Sequence, residues 1–404
     1  MACIAVLALL APVCYQSWAR YRATRVADTD TKQALLRAVE LEPGDAAYQE
    51  RLARYLAFVD LDVAEAKEHY ELAAAMNPYS ARTWLGLANV EMVSGDEASA
   101  AESIRKALEV DPKTPSVAWE AANLFLSLGR TPEALQQIRF VLANEVQIRF
   151  QALDLVHRVT AGSPKDALAA LPPDPAVYFA YVTILLRKNE VPAAKDVWSG
   201  LIGLKQSFDP KLGFYVIDDL MRRGDISGAI GCWNDMRSVV PEIARLAQDG
   251  NVVSNGSFEF DPLNGGFDWR FSESPTRMLR FDVSSVREGR RSLLMSFHDS
   301  RLTGLGIIQF VPLQANTHYA FGASVISKLQ TANGVQFAIV NPISGQKLML
   351  TDEAVTTRGW QKLEAKFTTG DQAQIAILTI TRSASSLIRG EIWIDDVQLR
   401  KVNE

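Results

Sequence analysis

A multidomain α + β chain is what this sequence predicts: a solenoid of antiparallel helix pairs, then an antiparallel β-sandwich, with an apolar helix ahead of both. Three observations carry that reading. Pro43, Pro78 and Pro112 stand 35 and 34 residues apart, and Trp84 and Trp119 stand 35 apart, a period at which helix hairpins stack. Beyond Ile243 that period stops, and short β-rich runs recur about every ten residues between Gly, Pro, Asn and Asp. Ala2 to Ala19 is almost uncharged and meets Arg20, Arg22 and Arg25. The boundaries expected are 1–25 for the apolar segment, 26–248 for the helical repeats and 249–404 for the sandwich.

The apolar segment is short for a span. Eighteen helical residues reach about 27 Å, just under the hydrocarbon thickness, and Pro12 weakens the helix. No Lys or Arg precedes the run, and a small-residue cleavage site is missing, so an uncleaved membrane anchor is expected. A cleaved signal and a buried soluble helix are the alternatives. Arginines after a span favour a cytoplasmic location for the rest of the chain.

In the helical region the clearest unit is Ala81 to Thr114. Ala88, Ala100 and Ala107 let two helices approach closely, Gly95 ends the first, and Pro112 stops the second. Trp84, Leu87 and Ile104 supply the apolar filling. The unit from Asp45 to Pro78 keeps Leu52, Ala53, Ala66, Tyr70 and Ala73, with one extra residue in the turn Asp60-Leu61-Asp62. Thr31 to Pro43 reads as only the second helix of a repeat, continuing from the apolar segment. From Ser116 the pattern keeps Trp119, Gly129, Ala134 and Ile138 but is one residue short. Phe150 to Leu171 and Ala176 to Phe208 are degenerate, and Pro210 to Pro241 recovers through Gly224, Ala229, Trp233 and Met236. Residues, period and order together resemble the tetratricopeptide repeat (TPR). The resemblance implies a concave face built from first helices that takes an extended peptide or partner helix. Asn89, Glu120 and Asn123, lying between core positions, are the expected contacts with a protein partner, while Trp84, Trp119, Tyr178 and Trp233 are expected in the core.

The strands expected are 278–283, 292–297, 306–312, 318–326, 336–340, 360–368, 373–381 and 391–400, eight or nine in all, which fits a two-sheet jelly roll. The opening Asn251-Val-Val-Ser-Asn-Gly-Ser-Phe-Glu259, then Gly266-Phe-Asp-Trp269, Gly289-Arg-Arg-Ser-Leu293, Gln309-Phe-Val-Pro312, Thr317-His-Tyr319, Gly359-Trp360 and the closing Ile392-Trp-Ile-Asp-Asp-Val-Gln-Leu399 stand in an order that resembles the galactose-binding-like jelly rolls of carbohydrate-binding modules. That resemblance implies binding rather than catalysis. It also implies a structural calcium joining first and last strands, with Glu259 and Asp396 as ligands and Asp395 as alternate; oxygen donors suit such a hard cation. The plain alternative is that Glu259 pairs with Arg290 or Arg291. Sugar binding needs exposed aromatic faces, and among Trp269, Tyr319, Phe321, Phe337, Trp360 and Trp393 no exposed pair can be identified.

Composition narrows the remaining classes. The formal net charge is −5, and residues 251–404 carry 16 Lys/Arg against 15 Asp/Glu, so no basic footprint for nucleic acid exists. Three cysteines make no disulfide framework, and Cys232 in a helical pattern reads as a small core residue. His69, His157, His298 and His318 have no metal-ligand spacing, and neither a phosphate loop nor a nucleotide fingerprint occurs. Asp218 and Asp219, adjacent on a helix, point apart and make poor acid/base partners. The function expected is a non-catalytic, membrane-anchored scaffold of a bacterial envelope, on the extracytoplasmic (periplasmic) side. Its repeats would engage protein, its jelly roll glycan or protein, as in accessory proteins of exopolysaccharide production or export. The rival is a cytoplasm-facing adaptor with no carbohydrate ligand.

Overall fold

A computed structural model describes residues 2–29, 31–247 and 250–402, with side chains from Tyr15 onward. The chain forms two compact units, Met1–Ile184 and Leu185–Glu404.

The first unit is a run of helix hairpins: α1 (Ala2–Ala27), α2 (Lys32–Leu41), α3 (Ala46–Tyr55), α4 (Val63–Met76), α5 (Ala81–Val93), α6 (Glu97–Val110), α7 (Pro115–Ser127), α8 (Thr131–Asn144), α9 (Arg149–Val159), α10 (Pro164–Ala170) and most of α11 (Pro175–Arg187). Local chemistry sets the boundaries. Thr31, Asp45, Asp62, Ser80 and Asp96 each accept an amide hydrogen of the following first turn through their side chains. Gly95 and Gly129, at φ +82° and +70°, make the left-handed turns that reverse the chain after α5 and α7. The small residues read from the sequence are the packing surface: Ala88, Ala107, Ala121 and Ala134 are buried around Ile104 and Phe125, and Ala100 is fully buried as well.

Two departures occur in this unit. The segment expected as an anchor over 1–25 is part of one helix that runs on to Ala27, and its latter part belongs to the array. Ala19, Ala23 and Ala27, four residues apart, are buried, and the last two pack with Ala38 of α2 and Tyr48 of α3. α1 therefore supplies the first helix of a hairpin of which only the second is legible in the sequence. Among the described residues no helix is long and apolar enough to cross a membrane. The side chains of residues 2–14, where the most apolar part of that expectation falls, lie outside the described residues. The second departure is the extra residue before Asp62. It is absorbed as a π-helical turn over Leu56–Asp60, closed by Leu61 at φ +57° and by the amide of Asp62 donating to the Leu56 carbonyl at 3.0 Å.

The second unit begins with α12 (Val191–Gly203), α13 (Pro210–Arg222), α14 (Ile226–Val239) and α15 (Pro241–Ala244), then ten strands. These are β1 (Arg270–Phe271), β2 (Arg277–Asp282), β3 (Ser292–Ser300), β4 (Gly304–Leu313), β5 (His318–Gln330), β6 (Gln336–Val340), β7 (Lys347–Leu350), β8 (Gln361–Thr368), β9 (Gln374–Thr381) and β10 (Ile388–Lys401). Two five-stranded antiparallel sheets, β1-β4-β9-β6-β7 and β2-β3-β10-β5-β8, enclose one core that includes Phe258, Trp269, Tyr319, Phe321, Phe337 and Ile394. The strands missed in the sequence are β1, two residues long, and β7, a short strand after the turn at Ser344-Gly345.

Helices and sandwich interlock within this unit. Phe214 of α13 and Trp233 of α14 lie against Gly265-Gly266, and a β-carbon on either glycine would overlap one of those rings. Trp233 then meets Phe267 edge-on, with centroids 5.8 Å apart. Cys232 is buried beside this contact, and burial pushes its thiol up to about 12, so it is an inert core residue.

The bracket motifs act as a seam. The Val252 amide donates to the Leu399 carbonyl at 2.8 Å, and the Val397 amide to the Gly256 carbonyl at 2.9 Å. Asn251 ties the opening segment to the closing one, its amide nitrogen donating to the Val397 carbonyl while its oxygen accepts from the Leu399 amide. Gln309, fully buried in β4, satisfies both main-chain groups of Ser254.

Candidate functional site

The aromatic residues do not form a sugar platform. Trp269, Tyr319, Phe321 and Phe337 are core, and Trp360 is half-buried. Trp393 lies on the outer face of the β2-β3-β10-β5-β8 sheet, because its neighbours Ile392 and Ile394 face the core. It is only 6% exposed, however, with the Lys328 ammonium 4.9 Å from its ring and its indole N–H donated to Asp282.

A wide concavity lies on the other sheet. Along β4 the residues alternate, with Leu305, Ile307, Val311 and Leu313 inward and Ile308, Phe310 and Pro312 outward. Phe310 and Ile375 form the floor of a cleft of about 710 Å³. One wall is the turn from α13 to α14, with Met221, Arg222 and Ile226; the facing wall is the loop after β6, with Asn341, Pro342 and Ile343. That loop is pinned by Asn341, whose side-chain oxygen accepts the amides of Ile343 and Ser344 and whose nitrogen donates to Gln374 at 2.7 Å. Arg270 crosses the floor, its guanidinium 4.8 Å from the centre of the Phe310 ring and forked onto both oxygens of Asp218. Asp218 is the one carboxylate in this lining, and Arg270 holds it. An apolar floor rimmed by amides and a guanidinium suits binding an extended ligand, and the lining offers no nucleophile beside a base.

The residues expected to hold calcium sit on the seam. Glu259 Oε1 accepts the main-chain amides of Arg290 and Arg291, at 2.9 and 3.2 Å, rather than their guanidinium groups. Asp395 is fully buried, with Oδ2 accepting the amides of Arg287 and Glu288 and Oδ1 that of Asp396. Burial raises its pKa, and those three amides oppose the rise. Asp396, at φ +50° in the bulge of β10, turns to Gln398 and to Glu288, a residue the motif reading did not single out. The pKa of Glu288 is raised by burial first and by its hydrogen bond to Asp396 next. Among the described residues no group of three or more His, Cys, Asp or Glu is disposed to hold a metal ion. Asp395 already accepts three amides, while the Glu288–Asp396 contact joins two acids that need a shared proton or a cation between them.

In the first unit the expected partner contacts fall on first helices, Asn89 half-buried on α5 and Glu120 and Asn123 exposed on α7. Asn123 donates to the Trp119 carbonyl of its own helix. Glu120 keeps an edge open to solvent, yet its neighbours crowd it enough for desolvation to raise its pKa, with Arg82 pulling back. Arg82 in turn pairs with Glu50 of α3, so charged groups from α3, α5 and α7 share one face.

Comparison with known proteins divides along the same lines. Residues 250–386 match the family model described as a carbohydrate binding domain. A stretch of 108 residues, 27% of the chain, is 33% identical to "Cellulose synthase operon protein C" of Pseudomonas fluorescens (strain SBW25), and spans 8% of that relative's length. Among solved structures, one described as "CBM4 structure and function" is 16% identical, covering 37% of this chain and 99% of its own with a TM-score of 0.29. YrrB, described as a TPR protein with an unusual peptide-binding site, is 16% identical, covering 43% of this chain and 93% of its own with a TM-score of 0.28. PilF of Pseudomonas aeruginosa is 18% identical, covering 48% and 92% with a TM-score of 0.26.

Proposed function

We propose that this chain is a non-catalytic scaffold of exopolysaccharide production, its helical repeats engaging a protein of the envelope machinery while the sandwich holds a glycan strand in the cleft over Phe310. The observation that carries the reading is the overlap of the carbohydrate binding domain match with the sheet that bears that cleft. The relative from a cellulose synthase operon supports the setting. With Phe310 covered by Arg270 and no exposed aromatic pair, contact would rest on aliphatic side chains and on the amides of Asn341 and Gln374, which favours a long chain held at many weak points over a tightly gripped sugar.

A glycan array probed with the intact chain tests this. Binding to β-linked polysaccharide, lost in Phe310→Ala, is the expected result; a clean negative favours the adaptor with no carbohydrate ligand.

The extracytoplasmic, membrane-anchored placement belongs to the same proposal. Its support is the apolar run ahead of Tyr15, Trp18 and Tyr21, which are 66, 50 and 64% exposed, with the Arg22 guanidinium 4.8 Å from the Trp18 ring. Aromatic and basic side chains in that order suit a membrane interface, which supports the anchoring. The extracytoplasmic side is supported by the carbohydrate binding domain match, against the charge of Arg20, Arg22 and Arg25. Protease digestion of intact spheroplasts should destroy the sandwich; protection would place it in the cytoplasm. A calcium ion, as the resemblance implies, would rest on the Glu288–Asp396 contact, where it would neutralise the acid pair at the seam.

A further inference from the structure

A second, smaller recess lies in the Leu185–Glu404 unit, away from the cleft floor, where α14 meets the seam. Its volume is about 290 Å³, and its lining includes Trp233, Asn234, Arg237, Gln314 and Lys401. No carboxylate is among its lining residues. Among the described residues Arg237 and Lys401 thus line the recess with no acid in the lining, while other arginines of this unit are paired. In the same unit Arg222 and Arg223 share Asp219, Arg270 has Asp218, and Arg291 has Asp261. Arg237 reaches solvent along one edge, yet the surrounding protein lowers its pKa through burial alone, with no carboxylate to oppose it.

A second observation is independent of charge. Trp233 is 3% exposed, and its indole Nε1–H is buried with no acceptor. A buried N–H without a partner costs about 1–3 kcal/mol, so such groups in native proteins usually answer to a ligand or ordered water. Trp233, Asn234, Gln314, Arg237 and Lys401, which line this recess, all carry hydrogen-bond donors.

We propose that this recess binds an oxyanion, a carboxylate or phosphate group, between Arg237 and Lys401. The complementary chemistry is a group with several acceptor oxygens and negative charge, which a planar guanidinium grips with two parallel hydrogen bonds. A neutral sugar offers mixed donors and acceptors and gains nothing from the two cations. The recess is of a size for one such group or a single sugar ring carrying it, not for a polymer segment. The site does not depend on the cleft over Phe310.

Calorimetry and thermal melting of the intact chain with sodium phosphate, sodium glucuronate and glucose, at constant ionic strength, test the site. The expected result is saturable binding of at least one anion with a rise in Tm, no response to glucose, and at least a tenfold loss of affinity in Arg237→Gln and in Lys401→Gln. Arg105→Gln, exposed on α6 and outside both the recess and the cleft, should bind as the parent does. Stronger binding of phosphate identifies a phosphate-bearing ligand, and stronger binding of glucuronate a uronate-bearing one. Absence of saturable binding by either anion, an equal response to glucose, or full affinity in either Arg237→Gln or Lys401→Gln would overturn the proposal. The melting curves of both variants without ligand report whether they fold.

Discussion

Gly86 of α5 lies against the ring of Tyr70 of α4: a β-carbon at Gly86 would sit 2.5 Å from Tyr70 Cζ and 2.7 Å from its hydroxyl oxygen. Tyr70 is 3% exposed, and burial pushes its phenol up to about 12, with Glu50 adding to the rise. A glycine inside a helix costs about 1 kcal/mol relative to alanine, but forcing a methyl group into a packed ring costs about 1–3 kcal/mol. The clash wins, because the ring carbons are wedged between helices and have nowhere to swing. Gly86→Ala should therefore lower the urea midpoint of the helical unit despite its better helix propensity. A stabilised variant would show that Tyr70 moves freely.

Asp268 provides a pH-dependent test in the sandwich. It is fully buried, Oδ2 accepts the Leu263 amide, and Oδ1 has no partner. Burial raises its carboxyl from 3.8 to about 6. The folded chain thus binds this proton more tightly than the unfolded one, so the stability linked to the group is greatest in acid and falls as pH rises through that window. A rise of that size corresponds to about 3 kcal/mol. Asp268→Asn should be more stable than the parent at neutral pH, and their difference should vanish towards pH 4. A pH-independent difference would contradict the buried-acid account.

Glu288 and Asp396 separate two states of the seam. With calcium bound, Tm should rise on adding the ion, fall on chelation, and lose both responses in Glu288→Gln. Without it, the pair shares a proton, and the raised Glu288 pKa means that its contribution is present at low pH and lost as pH rises. A melting temperature indifferent to calcium and to chelator sinks the metal proposal.

The cleft can be tested without disturbing the core. Arg270 and Asp218 are 24 and 37% exposed at their side chains, so the pair is worth about 1 kcal/mol or less. Asp218→Asn should therefore leave Tm within a few degrees of the parent while changing glycan affinity, because it frees the guanidinium that covers Phe310. Unchanged affinity in both Asp218→Asn and Phe310→Ala would move glycan binding away from this sheet.

Legibility followed the range of the interactions. The hairpins are readable where Ala and Gly recur at fixed spacing, since close helix approach leaves a mark on composition; Ala88, Ala100 and Ala107 are all fully buried. α1 reads as an anchor because it opens on an uncharged apolar run, and Ala19, Ala23 and Ala27, which form its buried face, carry no sign of whether they pack on protein or lipid. Sandwich strands are visible through alternation, except β1 and β7, which are too short to alternate. The seam residues Asn251, Glu259 and Asp395 are located by motif, but their roles are hidden: each holds main-chain amides, and no sequence shows which amides will lie opposite. Arg270 and Asp218, 52 positions apart, carry no signal of their pairing.

The π-helical turn at Leu56–Asp60 has an evolutionary consequence. A single inserted residue normally rotates everything after it by about 100° around a helix and would bring the wrong side chains to the next hairpin. Here the surplus is spent inside one widened turn, Leu61 reverses the chain in the left-handed region, and Ala66 and Tyr70 reach the core in step with their counterparts in α6. Phe58, Val59 and Leu61 are left on the outside, 62, 60 and 73% exposed. An array built this way tolerates frame errors between its units, so new surface features can arise at hairpin tips while the stacking code stays untouched.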